Sequence, residues 1–297
     1  MNYKKIIKNQ KTRFMILRFL KWVPDAIMLR VQYRIKTGRW PDFQHPKRYT
    51  EKLQLYKMKY RNSIMFQCVD KYEVRKYVEN KGEQDILVPI VGVYDDASDI
   101  DYYNLPLQFV AKTTDGSGGN NILVCKDKES LDWDKTVKKI NSWKNFKDIN
   151  PGREWAYTGI KKSRIIVEKY IDGGERPLVD YKFFCFNGEP KYIYVLTDRK
   201  PGEYVYLGVY DMDFNKLPVY RTDERRQVRI ETKPKNYDKM VEIARNLSTG
   251  FPHVRVDLYN IDGKIYFGEL TFYDGSGYFH YDPDSFDFEM GSYFTEY

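Results

Sequence analysis

Two carboxylates interrupt what is otherwise an apolar hairpin, and they constrain the fold more than any other feature of the sequence. Val254-Arg255-Val256-Asp257-Leu258-Tyr259 and Ile265-Tyr266-Phe267-Gly268-Glu269-Leu270-Thr271 flank Asp262-Gly263, the pattern of two strands joined by a tight turn. Strands this apolar seek burial, and a buried carboxylate needs a cation or a hydrogen-bonded partner. Loop length decides whether the two acids meet. A two-residue turn pairs Asp257 with Gly268 and sends Glu269 to the opposite face. A three-residue loop, 261–263, sets Arg255 opposite Glu269 and makes Asp257 its diagonal neighbour, within roughly 7 to 8 Å. The second register is the expectation. In it Asp257 and Glu269 share a magnesium ion, which takes oxygen ligands at about 2.1 Å and keeps positions for phosphate. Arg255, on the face of Asp257, pairs with a carboxylate or reaches a phosphate oxygen. The competing reading is a structural Arg–carboxylate cluster.

Three further segments carry polar groups on apolar strands. Residues 109–114 form a β-rich run that delivers Lys112 and then Gly116-Ser117-Gly118-Gly119, where unhindered backbone N–H groups and a mobile cation suit phosphate oxygens. The spacing is neither that of a P-loop nor of a dinucleotide fingerprint, and a flexible turn explains it equally well. Residues 164–171 form a strand whose end turns polar at Glu168, Lys169 and Tyr170, followed by Ile171. Strands over 181–186 and 191–196 flank Asn187-Gly188, the strongest hairpin signal in the chain, with Asp180 and Lys182 sharing one face of the first. Helices are expected over 1–23, ended by Pro24, and over 25–36, 50–59 with Thr50 as cap, 70–81 stopped by Gly82, 131–143, and 237–247 with Asn236 as cap.

With 297 residues, 42% of them hydrophobic and 16% aromatic, the chain has enough buryable surface for one large or two modest domains. Its net charge of +8 is uneven: residues 1–65 hold 17 Lys or Arg against three Asp or Glu, leaving the remainder acidic. A basic amphipathic start of this kind suits an anionic membrane surface through residues 1–23, or packing on the body. Nucleic acid is not expected as a partner, because the acidic body continues no basic track. Cys68, Cys125 and Cys185 have no metal spacing and an odd count, which fits a reduced, cytoplasmic setting. No apolar run of about 18 residues spans a membrane.

Taken in order, "DKYEVRKYV" (70–78), "FVAKTTDGSGGN" (109–120), "DYKFFCFNG" (180–188), "FPHVRVDLYN" (251–260) and "GKIYFGELTF" (263–272) resemble the TupA-like ATP-grasp family of cell-surface polysaccharide clusters. The resemblance implies an α+β, ATP-grasp fold in which two mixed α/β lobes enclose a nucleotide: a basic helical extension over 1–65, an N-terminal lobe over 66–175 and a C-terminal lobe over 176–297. It implies ATP and Mg²⁺ as cofactors. Lys112 and Lys182 would meet phosphate, Glu168 to Ile171 the adenine, Gly116 to Gly119 the γ-phosphate, and Asp257 and Glu269 the metal. Thr271 stands where ATP-grasp enzymes commonly carry an Asn ligand. The implied reaction is amide formation from a carboxylate and an amine through an acyl phosphate, with Arg255 and Lys182 neutralising charge. The rival is a glycosyltransferase, on the strength of Asp211-Met212-Asp213, which resembles an acidic metal and nucleotide-sugar motif. His45, His253 and His280 lie in no catalytic pattern and read as packing or surface residues.

Overall fold

Punctuation residues set several of the element ends. The computed structural model describes residues 9–116, 121–143, 150–174, 177–198 and 205–297. Helix α1, Gln10–Phe19, passes into a 3-10 turn at Leu20–Trp22 and stops before Pro24. Helix α2, Asp25–Thr37, ends where Gly38 takes the left-handed conformation. Helix α3, Tyr49–Lys59, is capped differently from expectation. Thr50 lies inside its first turn and gives its N–H and hydroxyl to Asp287 at 3.0 and 2.8 Å. Glu51 holds the start instead, accepting from the backbone N–H groups of Asp42, Lys47 and Arg48. The helix expected over 70–81 begins later, as α5, Val74–Asn80, and a separate helix, α4, Ile64–Val69, precedes it; the Asp70 carboxylate accepts from the N–H groups of Tyr72 and Glu73 and folds a turn between the two. There follow β1, Ile90–Tyr94; β2, Phe109–Thr113; β3, Ile122–Cys125; α6, Trp133–Ser142; and β4, Ile165–Lys169. The remainder is β5, Asp180–Phe186; β6, Glu189–Thr197; β7, Tyr206–Tyr210; β8, Tyr220–Arg221; β9, Arg225–Arg226; α7, Tyr237–Ser248; β10, His253–Ile261; β11, Lys264–Thr271; β12, Tyr281–Asp282; and α8, Ser285–Tyr293.

The chain divides into two compact units, one of Met1–Asn62, Ile149–Trp155 and Gly173–Tyr297, the other of Ser63–Asp148 and Ala156–Asp172. The smaller unit is built on an antiparallel sheet in the order β1-β4-β2-β3. Phe109, Ala111, Ile165 and Val167 alternate along β2 and β4 and meet Ile140 of α6 in its core.

The larger unit holds a six-stranded sheet in the order β11-β10-β5-β6-β7-β9, antiparallel except between β7 and β9. Helix α7 lies on one face, burying Met240, Ile243, Ala244 and Leu247 at helical spacing. The first helices belong to this unit: α3 packs on α8, and the Tyr49 ring meets Phe184, Phe186, His253 and Phe294 at centroid distances of 5.2 to 6.2 Å. Asn187 and Gly188 both take positive φ and close the β5–β6 hairpin as a two-residue turn, as the sequence predicts. Asn236 is the N-cap residue of α7, as expected, but its side chain makes no capping hydrogen bond. It is itself left-handed and donates its amide to the Gly263 carbonyl at 2.8 Å.

The β10–β11 hairpin departs from the expected register. Its turn has two residues, Asp262 and Gly263, with Ile261 opposite Lys264, rather than the three-residue loop 261–263. A bulge at Gly268 then shifts the pairing, so Leu258 faces Phe267 while Asp257 faces Glu269. The acids meet directly, and Arg255 faces Thr271. A side chain would be crowded here: a Cβ on residue 268 would stand 3.0 Å from the Asp257 carbonyl oxygen.

Candidate active site

In the larger unit, Lys182, Asp257 and Glu269 lie in one row across β5, β10 and β11. Asp257 is nearly sealed from solvent, and its Oδ2 accepts from Lys182 Nζ. Arg255, two residues along on the same face, grips the same carboxylate with both Nε (2.7 Å) and Nη2 (2.6 Å). The Glu269 side chain is 39% exposed, with Oε1 3.5 Å from Arg255 and 3.4 Å from the Thr271 hydroxyl. Thr271 in turn accepts from Arg255 Nη2 at 3.0 Å.

Two residues that sequence reasoning missed complete this network. Asp274, just beyond β11, takes Nη1 of Arg255 on one oxygen and Arg221 Nη1 at 3.1 Å on the other. Arg221 clasps Asp223 at 2.9 and 2.6 Å and stacks 4.3 Å above the Phe279 ring. Burial by itself would raise the pKa of Asp274, but Arg221, Arg255 and Lys182 outweigh it and hold the carboxyl below its ordinary value. Burial likewise opposes the charge on Arg255, and Asp257 and Asp274 overcome it, so the guanidinium stays charged. The signal for Asp274 was a lone acid directly after the apolar pair Phe272-Tyr273; Arg221 left no comparable mark.

In the smaller unit, Lys112 Nζ stands 2.6 Å from Glu168, its diagonal neighbour across β2 and β4. Arg75 approaches the same carboxylate at 3.9 Å. Glu168 therefore lies within the strand, and Tyr170 and Ile171 follow its end; Lys169 is exposed and donates its N–H to Pro89. The glycine segment begins at Gly116, whose carbonyl accepts from Lys71 Nζ. Ser117, Gly118 and Gly119 lie outside the described residues. The three cysteines are free and buried, and Asp211 of the acidic pair is engaged in its own turn, accepting from the Asn215 N–H at 2.7 Å and side-chain amide at 3.1 Å.

A family model described as TupA-like ATPgrasp matches residues 51–295. The chain belongs to the TupA-like ATP-grasp family. The mixed helices and antiparallel sheets are thus those of an ATP-grasp fold, as the motif order predicts. Among solved structures, the family member is similar to D-alanine–D-alanine ligase from Bacillus anthracis, at 18% identity over 69% of this chain and 57% of the ligase, with a TM-score of 0.42. It is similar to D-alanine–D-alanine ligase from Helicobacter pylori at 12% identity, over 78% of this chain and 60% of that one, with a TM-score of 0.42. The corresponding figures for D-cycloserine synthetase DcsG are 16% identity, 69% and 62%, and 0.38. This chain therefore spans less than two thirds of the length of these proteins. A comparison with curated proteins gives no match.

Among the described residues no cluster of three or more His, Cys, Asp or Glu is arranged for a metal. Magnesium commonly needs only one or two carboxylates and completes its octahedron with phosphate oxygens and water. Asp257 and Glu269 face each other across the strands with the Thr271 hydroxyl beside Glu269, oxygen donors of the kind such an ion takes, and both Asp257 oxygens are also held by Arg255 and Lys182, so an ion here would share Asp257 with those cations.

Proposed function

We propose that the protein is an ATP- and magnesium-dependent ligase that joins a carboxylate to an amine through an acyl phosphate. The observation that carries this reading is the row of Lys182, Asp257 and Glu269 under the clasp of Arg255, on a chain of ATP-grasp lineage. Asp257 and Glu269 would hold magnesium, which when bound neutralises phosphate charge and orients the γ-phosphoryl group. Lys112 and Lys182 bind phosphate oxygens, and the segment of Glu168, Lys169, Tyr170 and Ile171 receives the adenine. Gly116, with Ser117, Gly118 and Gly119 after it, offers backbone N–H groups to the γ-phosphate. The substrate carboxylate attacks the γ-phosphorus and ADP departs; the amine then displaces phosphate from the acyl carbon. Arg255 stabilises negative charge on the transferring group, so catalysis rests on positioning and electrostatics and needs no protein nucleophile.

By family, the substrates are a sugar acid or other glycan carboxylate and an amino acid or peptide of a cell-surface polysaccharide or its precursor. Residues 1–23 would keep the enzyme at the inner face of an anionic membrane, where a lipid-linked precursor is presented. Hydroxylamine tests the chemistry, because it intercepts an acyl phosphate as a hydroxamate. ATP, Mg²⁺ and a panel of uronic acids should give hydroxamate and ADP in equal amounts with the active carboxylate. ADP formation that no carboxylate stimulates, or sugar transfer from a nucleotide sugar, would overturn the reading.

A further inference from the structure

Helix α2 carries apolar side chains on two faces, and only one of them is buried. Its inner face buries Met28, Leu29, Gln32, Tyr33 and Thr37. On the outer face Ile27, Val31 and Ile35 recur at i, i+4 and i+8 and are 55, 40 and 41% exposed. Arg30 and Arg34 stand among them, both exposed. Fifteen large hydrophobic residues are exposed among those described, and eight of them fall within residues 15–40, including Phe19, Trp22 and Trp40 at 66 to 77%. Scattered exposed apolar residues need no explanation, but this concentration does.

Charge identifies the occupant. Residues 9–40 contain eight Lys or Arg and a single acid, Asp25. That acid is paired with Arg153 at 2.8 Å, which also holds the Leu20 and Val23 carbonyls and so fastens the α1–α2 junction to its own unit. Aliphatic side chains framed by arginines, with the exposed Trp40 ring under Arg34 at 6.0 Å, match the headgroup boundary of an anionic bilayer: the chains enter the acyl edge, the guanidinium groups stay at phosphate level, and an indole ring favours that depth. No helix among the described residues is long and apolar enough to cross a membrane, so the contact is peripheral.

We infer that the outer face of α2, with Trp40, is a docking surface for an anionic lipid bilayer. It is distinct from the contact expected of residues 1–23 and stands on the α2 stripe. Sedimentation with phosphatidylglycerol-containing vesicles, against pure phosphatidylcholine vesicles, tests it on the full chain without any assay of ligase activity. The full chain should bind the anionic vesicles at least about tenfold more tightly, with the excess falling as salt rises. The triple variant Ile27→Ser, Val31→Ser, Ile35→Ser should lose about tenfold or more in partition while keeping its thermal midpoint, since these side chains are not part of the core. Equal binding to both vesicle types, no binding to either, or undiminished binding by the triple variant would overturn the inference. So would a concentration-dependent dimer that the triple variant abolishes, because the stripe would then serve a second copy of the chain.

Discussion

At the scale of single residues, the larger unit holds the buried charges around Asp274 by pairing each with opposite charge. Asp274 receives Arg255 on one oxygen and Arg221 on the other, and each arginine has a second carboxylate. Taking two ions out of water is costly, so such pairs add little net stability, yet removing one partner leaves buried charge with nothing opposite it. Asp274→Ala should therefore destabilise the protein by about 3–5 kcal/mol, seen as a fall in the melting midpoint on the order of 10 °C. An unchanged midpoint would mean that the arginines find other partners. His253 supplies a pH test. Its ring is fully buried, with Nδ1 2.9 Å from the Cys185 carbonyl and Nε2 2.9 Å from the Tyr49 hydroxyl. A carbonyl only accepts, so Nδ1 carries the proton and Nε2 accepts from Tyr49. Burial then depresses the pKa from 6.5 to about 4, against the opposing pull of the Cys185 carbonyl and Asp274. Between those values the unfolded chain binds the proton and the folded one does not, so stability rises with pH from about 4 to 6.5 by roughly 3 kcal/mol and is flat in this group beyond either end. Denaturant midpoints across that range should show the rise, and His253→Gln should remove most of it.

At the scale of elements, the bulge at Gly268 decides the site. A side chain there would press on the Asp257 carbonyl and oppose the two-against-one pairing that brings Asp257 and Glu269 level. Gly268→Val should cost about 2 kcal/mol in stability and weaken Mg-ATP binding more than its effect on folding accounts for, checked by parallel melts and titrations. A variant with normal nucleotide affinity would detach the bulge from the site. The same hairpin shows what a sequence can and cannot disclose. Alternation and Asp262-Gly263 announce two strands and a tight turn, because those signals are local. The bulge stayed hidden because one glycine inside a strand is compatible with an unbroken ladder, and the meeting of the acids was expected through the wrong loop length. Thr50 looks like a cap by residue type, but Asp287, 237 residues away, claims its hydroxyl. The clasp of Asp274 by Arg255 and Arg221 draws on β8, β10 and the segment after β11, a convergence that no spacing along the chain encodes. Asn187-Gly188 and the core alternation of β2 and β4 were legible for the opposite reason: neighbours in sequence determine them.

At the scale of the whole molecule, the family match covers residues 51–295, so both compact units carry ATP-grasp sequence. The central claim is that Asp257 and Glu269 hold the magnesium of bound ATP. Glu269 offers the cleaner substitution, since its carboxylate is partly exposed and touches Arg255 only at 3.5 Å, whereas Asp257 neutralises a buried lysine and arginine. The most direct measurement is calorimetric titration of the purified protein with Mg-ATP, repeated on Glu269→Gln and on Asp257→Asn with Glu269→Gln, with melts to show that each variant is folded. The account predicts saturable, magnesium-dependent ATP binding that falls at least about tenfold in Glu269→Gln and is lost in the double variant. ATP binding that survives in the folded double variant, or a protein that ignores ATP and binds a nucleotide sugar with manganese, would contradict it.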